Sequence, residues 1–264
     1  YLTTGTIDSK FGFPQASGEE AITTAMSLAN LNLVGLHCHI GSLISETEPY
    51  RQAIDFMLKF AVEMKQKHSF VLKELSDGGR FAIQYTLDSP LVPISAYAEV
   101  ITSSIISRCQ ALGMSLPQLV IEPGRSIVGR AGVALYEVGA IKDIPGVRCY
   151  VSVDGGMGDN IRPALYEAKY EAVVANKMRD RTAGKFTIAG KFCESGDILI
   201  RDIALPQPTP GDILAVPGCG AYCVPMASNY NAFFLPAIAL VKEGKARLIR
   251  RRQTLADLTS CDMV

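Results

Sequence analysis

The feature that most constrains this chain is an alternation between about residues 17 and 125, in which three short apolar runs ending in polar loops alternate with three amphipathic helices, without any internal sequence repeat. The apolar runs are VGLHCHIGS, SFVLKELSDGGRF and LPQLVIEPGR, and each ends in polar or glycine-rich residues. A first helix, SGEEAITTAMSLANL, is expected to open on a capping box of Ser17 and Glu20 and to set Ile22, Ala25, Met26 and Ala29 on one face. A longer helix is expected from near Pro49 through Ile54, Met57, Phe60, Ala61 and Met64. A third, ISAYAEVITSSIISRCQAL, should stop at Gly113.

Strand, loop and helix in repetition predict a parallel sheet or barrel. The polar residues gather at the C-terminal ends of the strands: His37 and His39, then Gly78 and Gly79, then Glu122 and Arg125. That rim is where βα barrels carry their chemistry, although a doubly wound sheet fits the local pattern almost as well. Three strands do not close an eight-stranded barrel, which typically takes about 250 residues. The alternation therefore predicts an open half-barrel with an unpaired strand edge. Beyond Arg125 the helices thin out. SIVGRAGVALYEVGAI, GVRCYVSVDGG, GKFTIAGKFC, GDILAVPG and ARLIRRR read as strands, and NAFFLPAIA as a short helix or a strand. The chain thus divides into an α/β part over 1–125 and a mostly β, barrel- or sandwich-like part over 126–264.

Composition narrows the function. Lys plus Arg and Asp plus Glu both total 26, so no overall charge draws the chain to nucleic acid or an anionic membrane. The 7 cysteines are irregularly spaced, and the closest pair, Cys219 and Cys223, has no second pair to complete a zinc site. The opening YLTTGTIDSKFGF lacks the pattern of a signal peptide, and no apolar run reaches the length of a membrane span. A neutral cytoplasmic protein is expected.

The polar segments carry several chemistries. His37 and His39 project to one side of a strand and suit either metal ligation, with Glu122 or Asp154, or stacking on a planar cofactor. They also suit a plain hydrogen-bonded rim. DGGR and EPGR are turns whose backbone N–H groups and arginine suit an anion, and Glu122 suits a protonated heteroaromatic nitrogen. In VDGGMGDNIRPALYEAKY, Arg162 and Tyr166 share a face if the segment is helical and would then hold a carboxylate; a surface arginine is the plainer alternative. FCESGDILI places Cys193, Glu194 and Asp197 in one turn, where a thiol donates a proton or simply packs. Tyr222, in GAYCVPMASNYNAF, offers a hydroxyl to a phosphate or substrate, or packs its loop.

HCHIGS, the GG-R-F loop, EPGR, DGGMGDNIRPALY, CESGD and GAY, in this order, resemble the fold-type III pyridoxal-phosphate-dependent amino-acid decarboxylases from about Leu2 to Arg252. The resemblance implies the C-terminal part of a pyridoxal-phosphate-binding (β/α)8 barrel followed by a β domain, in a homodimer with shared active sites. It implies an imidazole stacked on the cofactor ring at His39, phosphate contacts from Ser42, Gly78, Gly79, Gly124 and Arg125, and a ring-nitrogen partner at Glu122. Arg125, Arg162 and Tyr166 match residues that hold substrate carboxylates. Cys193 and Glu194 match a proton donor and a substrate ligand supplied across the dimer interface, and Tyr222 a tyrosine near phosphate and substrate. RPALY with CESGD favours diaminopimelate over ornithine or arginine as substrate, with L-lysine and carbon dioxide as products.

Two departures stand out. Arg80 occupies the place of a third glycine, where it either strains the turn or adds a phosphate contact. The family's cofactor-anchoring lysine lies far ahead of HCHIGS, whereas Tyr1 stands 36 residues before His37, and Lys10 matches a later segment. These residues alone are therefore expected neither to close a barrel nor to turn over substrate. The rival readings are a decarboxylase of another basic amino acid, a non-catalytic regulatory homologue and a metal-dependent hydrolase using His37, His39, Glu122 and Asp154.

Overall fold

The computed structural model describes residues 9–263; the start of the resemblance at Leu2 lies outside them. The chain divides into two compact units, one formed by residues up to 84 with 90–127, the other by 85–89 with 128–264.

The first unit alternates α1 (Gly18–Ser27), β1 (Gly35–His37), α2 (Glu48–His68), β2 (Glu74–Ser76), α3 (Ile94–Leu112) and β3 (Gln118–Val120). The strands form a parallel sheet in the order β1-β2-β3. Helix α2 buries Tyr50, Ala53, Ile54, Met57, Leu58, Ala61 and Met64, a stripe at helical spacing. Helix α3 buries Tyr97, Ile101, Ile105 and Cys109. With Leu75 these stripes make the core, and the strands are aligned by it. Both long helices stop at left-handed residues, Ser69 (φ 60°) and Gly113 (φ 63°). The expected capping box at α1 does not form: the Ser17 hydroxyl donates to Pro14 O at 3.1 Å, because a 3-10 turn over Gln15–Ser17 precedes the helix.

Register matters most for function. His37 pairs with Ser76, and Ser76 with Val120, so the three strands end side by side. The loops that follow, carrying residues 38–42, 77–80 and 121–125, leave the sheet at one rim.

A short helix α4 (Arg125–Val128), whose first three residues belong to the first unit, and a 3-10 turn occupy the start of what the sequence suggested was a strand; in the second unit β4 begins at Val133 and runs to Ile144. Then come β5 (Arg148–Val153), α5 (Arg162–Tyr166), β6 (Val173–Val174), β7 (Gly184–Ala189), β8 (Ile198–Leu205) and β9 (Ile213–Pro217). They build a six-stranded sheet in the order β6-β9-β4-β5-β7-β8, antiparallel except where β5 meets β7. Its core includes Tyr136, Val138, Val151, Ile188, Leu205 and Leu214. Strand β8 was not foreseen, because its alternation is broken by Arg201 and Asp202 at adjacent exposed positions. NAFFLPAIA divides: residues Tyr230–Ala232 form a 3-10 turn, and β10 (Ile238–Lys242) pairs with β11 (Lys245–Arg250) as a hairpin, followed by α6 (Leu255–Leu258). Among the described residues no helix is long and apolar enough to cross a membrane.

Candidate active site

In the first unit the three rim loops are tied together by backbone bonds. Glu122 N–H donates to Gly78 O at 3.0 Å, and Ile44 N–H donates to Arg80 O at 3.3 Å. The second bond joins the loop carrying Ser42 to the glycine turn, and the Tyr97 hydroxyl fixes it further by donating to Ile44 O at 2.7 Å. Gly79 has to be glycine because a Cβ there would lie 2.0 Å from Glu122 O. A Cβ on Gly78 would stand 3.7 Å from His39 Nδ1, which places the imidazole beside the turn.

The turn has the geometry of an anion nest. Gly78 (φ 73°) and Arg80 (φ 63°) are left-handed, while Gly79 between them is not. Alternating φ signs aim successive N–H groups into one concavity. Gly78 N–H donates to Ser76 Oγ at 3.3 Å, but the Gly79 and Arg80 N–H groups meet no acceptor among the described residues. A phosphate fits donors left this way.

Beside the nest, Glu122 Oε1 accepts from the Ser76 hydroxyl at 3.2 Å and lies 3.4 Å from His37 Nε2. Glu122 and His39, both exposed in this unit, are thus brought to the same rim as the nest. Burial, then the nearby Arg80 and His37 charges, hold the His39 imidazole below its usual range, against the pull of Glu122. A neutral ring suits stacking on an aromatic cofactor. Ser76 was missed from sequence; its signal was the strand period, which sets it two residues before Gly78 and opposite His37. The half-buried Arg125 lies at the end of the EPGR turn, where Ile127 N–H donates to Gly124 O at 3.1 Å.

The Arg80 side chain packs beside the turn, where a Cβ on Gly78 would lie 3.5 Å from its Nε, and its Nε and Nη1 are buried without a hydrogen-bond partner. The guanidinium is fully buried, pairs through Nη2 with Asp77 Oδ1 and lies over the Tyr50 ring at 5.1 Å from its centroid.

In the second unit Arg162 is 1% exposed, so the surface-arginine alternative fails. It lies over the Tyr85 ring at 4.7 Å, and its Nη1 donates to the Tyr170 hydroxyl. Among the described residues no carboxylate is within ion-pair distance of it. A buried cation without an anionic partner is costly, and a ligand carboxylate would relieve that cost. Tyr166 ends the same helix, half-buried. Tyr170 was missed because its role depends on the chain turning back after Glu167 (φ 54°). Behind it Cys223 Sγ lies 3.6 Å from the Tyr170 hydroxyl and 3.5 Å from Asn160 Oδ1. A hydrogen bond from Cys219, then Tyr170 and Arg162, draw the Cys223 thiol below its usual range against its burial. The adjacent Tyr222 is left-handed (φ 62°) and 45% exposed.

The CESGD turn is built on Asp197, which is 2% exposed and accepts N–H groups from Met157 at 2.7 Å and Phe192 at 2.8 Å. Asp197 therefore shapes the turn, leaving Cys193 and Glu194 exposed. The Tyr230 hydroxyl donates to Glu194 Oε1, a partner the sequence did not reveal. Asp154, named in the metal reading, belongs to this second unit and accepts Glu137 N–H at 2.8 Å. Among the described residues no three His, Cys, Asp or Glu side chains gather as a metal site requires.

Residues 1–129 match the pyridoxal binding domain of the pyridoxal-dependent decarboxylases, and residues 70–220 match their C-terminal sheet domain. The chain belongs to this decarboxylase family. Among its relatives, a diaminopimelate decarboxylase of Bacillus subtilis is 46% identical over 265 aligned positions, covering 100% of this chain and 60% of the relative. A crystal structure of diaminopimelate decarboxylase from M. jannaschii in complex with L-lysine superimposes with a TM-score of 0.90 at 35% identity, covering 100% of this chain and 60% of that one. The Helicobacter pylori diaminopimelate decarboxylase, also complexed with L-lysine, gives 0.86 at 31% identity, with 98% and 62% covered. The chain thus spans about three-fifths of the length of these relatives. The barrel-plus-sheet fold expected from the sequence is the fold of these structures.

Proposed function

We propose that the natural polypeptide carrying this chain is a pyridoxal-phosphate-dependent decarboxylase that converts meso-2,6-diaminopimelate to L-lysine and carbon dioxide, the last step of lysine biosynthesis. One observation carries the reading: two unpaired N–H groups in the Gly78–Arg80 nest share a rim with His39 and with the Glu122 carboxylate. A phosphorylated aromatic cation asks for that set of partners. The relatives' names and their L-lysine complexes support the choice of substrate.

Pyridoxal phosphate, when bound, supplies the electron sink for the charge left when the carboxylate departs. Gly78, Gly79, Gly124, Arg125, Ser42 and Tyr222, the residues the family resemblance matches to this role, would hold its phosphate. Glu122, kept in place by Ser76 and His37, would keep the ring nitrogen protonated, and the His39 imidazole would pack on the ring face. Arg162, with Tyr166 and Arg125, holds substrate carboxylates; its burial makes that recognition selective, since a substrate lacking the distal carboxylate leaves the guanidinium unpaired. Glu194 binds the substrate ammonium, and the exposed Cys193 thiol returns a proton to the alpha carbon. The last two residues act from the neighbouring subunit of a homodimer with shared sites, in the cytoplasm.

The test is to incubate the purified polypeptide with pyridoxal phosphate and each of diaminopimelate, ornithine and arginine, measuring carbon dioxide and product amine. Lysine is expected from diaminopimelate, at a rate about a hundredfold or more above the others. Cofactor binding without turnover would point to the regulatory homologue, and preference for ornithine would overturn the substrate assignment.

A further inference from the structure

Arg80, in the place of a third glycine, and its partner Asp77 have no role in the decarboxylase reading. The two residues stand immediately either side of Gly78 and Gly79. Their side chains are 1% and 0% exposed, and they are bonded to each other through Nη2 and Oδ1. Arg80 adopts a left-handed φ of 63°, which an L-residue holds only against strain unless its surroundings enforce it. Three features enforce it here: the bond to Asp77, the Tyr50 ring 5.1 Å from the guanidinium carbon, and the Ile44 N–H bonded to Arg80 O at 3.3 Å. Asp77 falls on the strand face of Leu75, which is fully buried against the helices. Burial pushes the Asp77 carboxyl above its usual range, and the Arg80 charge pulls it back.

We propose that Asp77 and Arg80 form a buried clamp that holds the Gly78–Gly79 turn in its anion-binding shape, making both of them positioning residues for the phosphate. The proposal rests on the cofactor assignment above. In the clamp the Arg80 side chain acts through Asp77, while its backbone N–H would meet the phosphate. The clamp substitutes side-chain restraint for the backbone freedom that a third glycine has. It also explains why two residues ill-suited to a buried loop occur together, since each alone leaves the other's charge buried and unpaired.

The experiment uses the cofactor-loaded natural polypeptide, Arg80→Gly, Asp77→Leu and the double variant. The readouts are pyridoxal phosphate affinity by absorbance titration, the 31P resonance of the bound phosphate, and the melting temperature of the apo form. Each single variant is expected to lose at least tenfold in affinity and to shift or broaden the 31P signal. The double variant, which removes both charges, should recover to within about threefold of the parent. Native affinity and an unchanged 31P signal in Arg80→Gly would overturn the clamp, as would a double variant no better than the singles. If a single variant does not fold, the double variant still decides, because a clamp requires that it fold and bind. Failure of the unsubstituted protein to bind the cofactor would sink the decarboxylase reading itself, an outcome distinct from native binding with no coupling between the two sites.

Discussion

Replacing Gly79 with alanine tests the packing of the rim loops most directly. The added methyl would lie 2.0 Å from Glu122 O and 2.8 Å from Glu122 C, where ordinary contacts begin at 3.4 Å. The obstacle is backbone, so no rotamer change relieves it, and the two loops must part by more than an ångström. That separation breaks the Glu122 N–H bond to Gly78 O. Overpacking of this kind costs about 1–3 kcal/mol and the lost bond about 1 kcal/mol, for a total of about 2–4 kcal/mol. Gly78→Ala is the internal control. Its methyl would meet neighbours at 3.4–3.7 Å, and its φ of 73° costs about 1–2 kcal/mol. Urea unfolding of the apo polypeptide, paired with cofactor titration, should therefore show Gly79→Ala as the worse lesion in both. A Gly79→Ala variant within about 0.5 kcal/mol of the parent, or milder than Gly78→Ala, would refute the close approach of these loops.

Three further outcomes follow from the structure. Tyr170→Phe removes the hydroxyl that orients Arg162, so under the proposed function the KM for diaminopimelate should rise about tenfold with cofactor affinity unchanged; equal loss of both would place Tyr170 in general packing. Tyr230→Phe frees the Glu194 carboxylate and should lower kcat/KM about tenfold without moving the melting temperature, and an unchanged kcat/KM would remove Glu194 from substrate binding. Asp212 is 4% exposed; its burial is outweighed by bonds from Lys177, Asn176 and Thr209 that hold its carboxyl well below the usual range. Asp212→Ala should cost about 3 kcal/mol at pH 7. Because the folded carboxyl lies below its unfolded value of about 3.9, that contribution is complete above this pH and fades as pH falls toward the folded value. Urea midpoints should show a smaller gap between parent and variant at pH 3 than at pH 7; an equal gap at both would contradict the linkage.

Local pattern was enough to place the long helices, because the apolar stripes of α2 and α3 recur at helical spacing and a left-handed residue ends each one. It was not enough for β8, where polar residues interrupt the period, or for Arg125–Ala131, where helical turns replaced an expected strand start. The strands of the first unit are only three residues long, so their apolar runs overstated them.

Sequence alone determined which residue types follow the strand ends: His39, Gly78, Gly79 and Glu122 stand in the loops just past β1, β2 and β3, and the parallel register of those strands brings the loops to one rim. The partners were decided by tertiary structure. Ser76 against Glu122, Arg80 against Asp77, Tyr170 beneath Arg162 and Tyr230 on Glu194 each depend on register or on a reversal of the backbone. A side chain's hydrogen bonds and charge environment are set by what folding brings within about 3 Å of it. Apart from the local Asp77–Arg80 pair, those neighbours lie between 8 and 46 residues away along the chain.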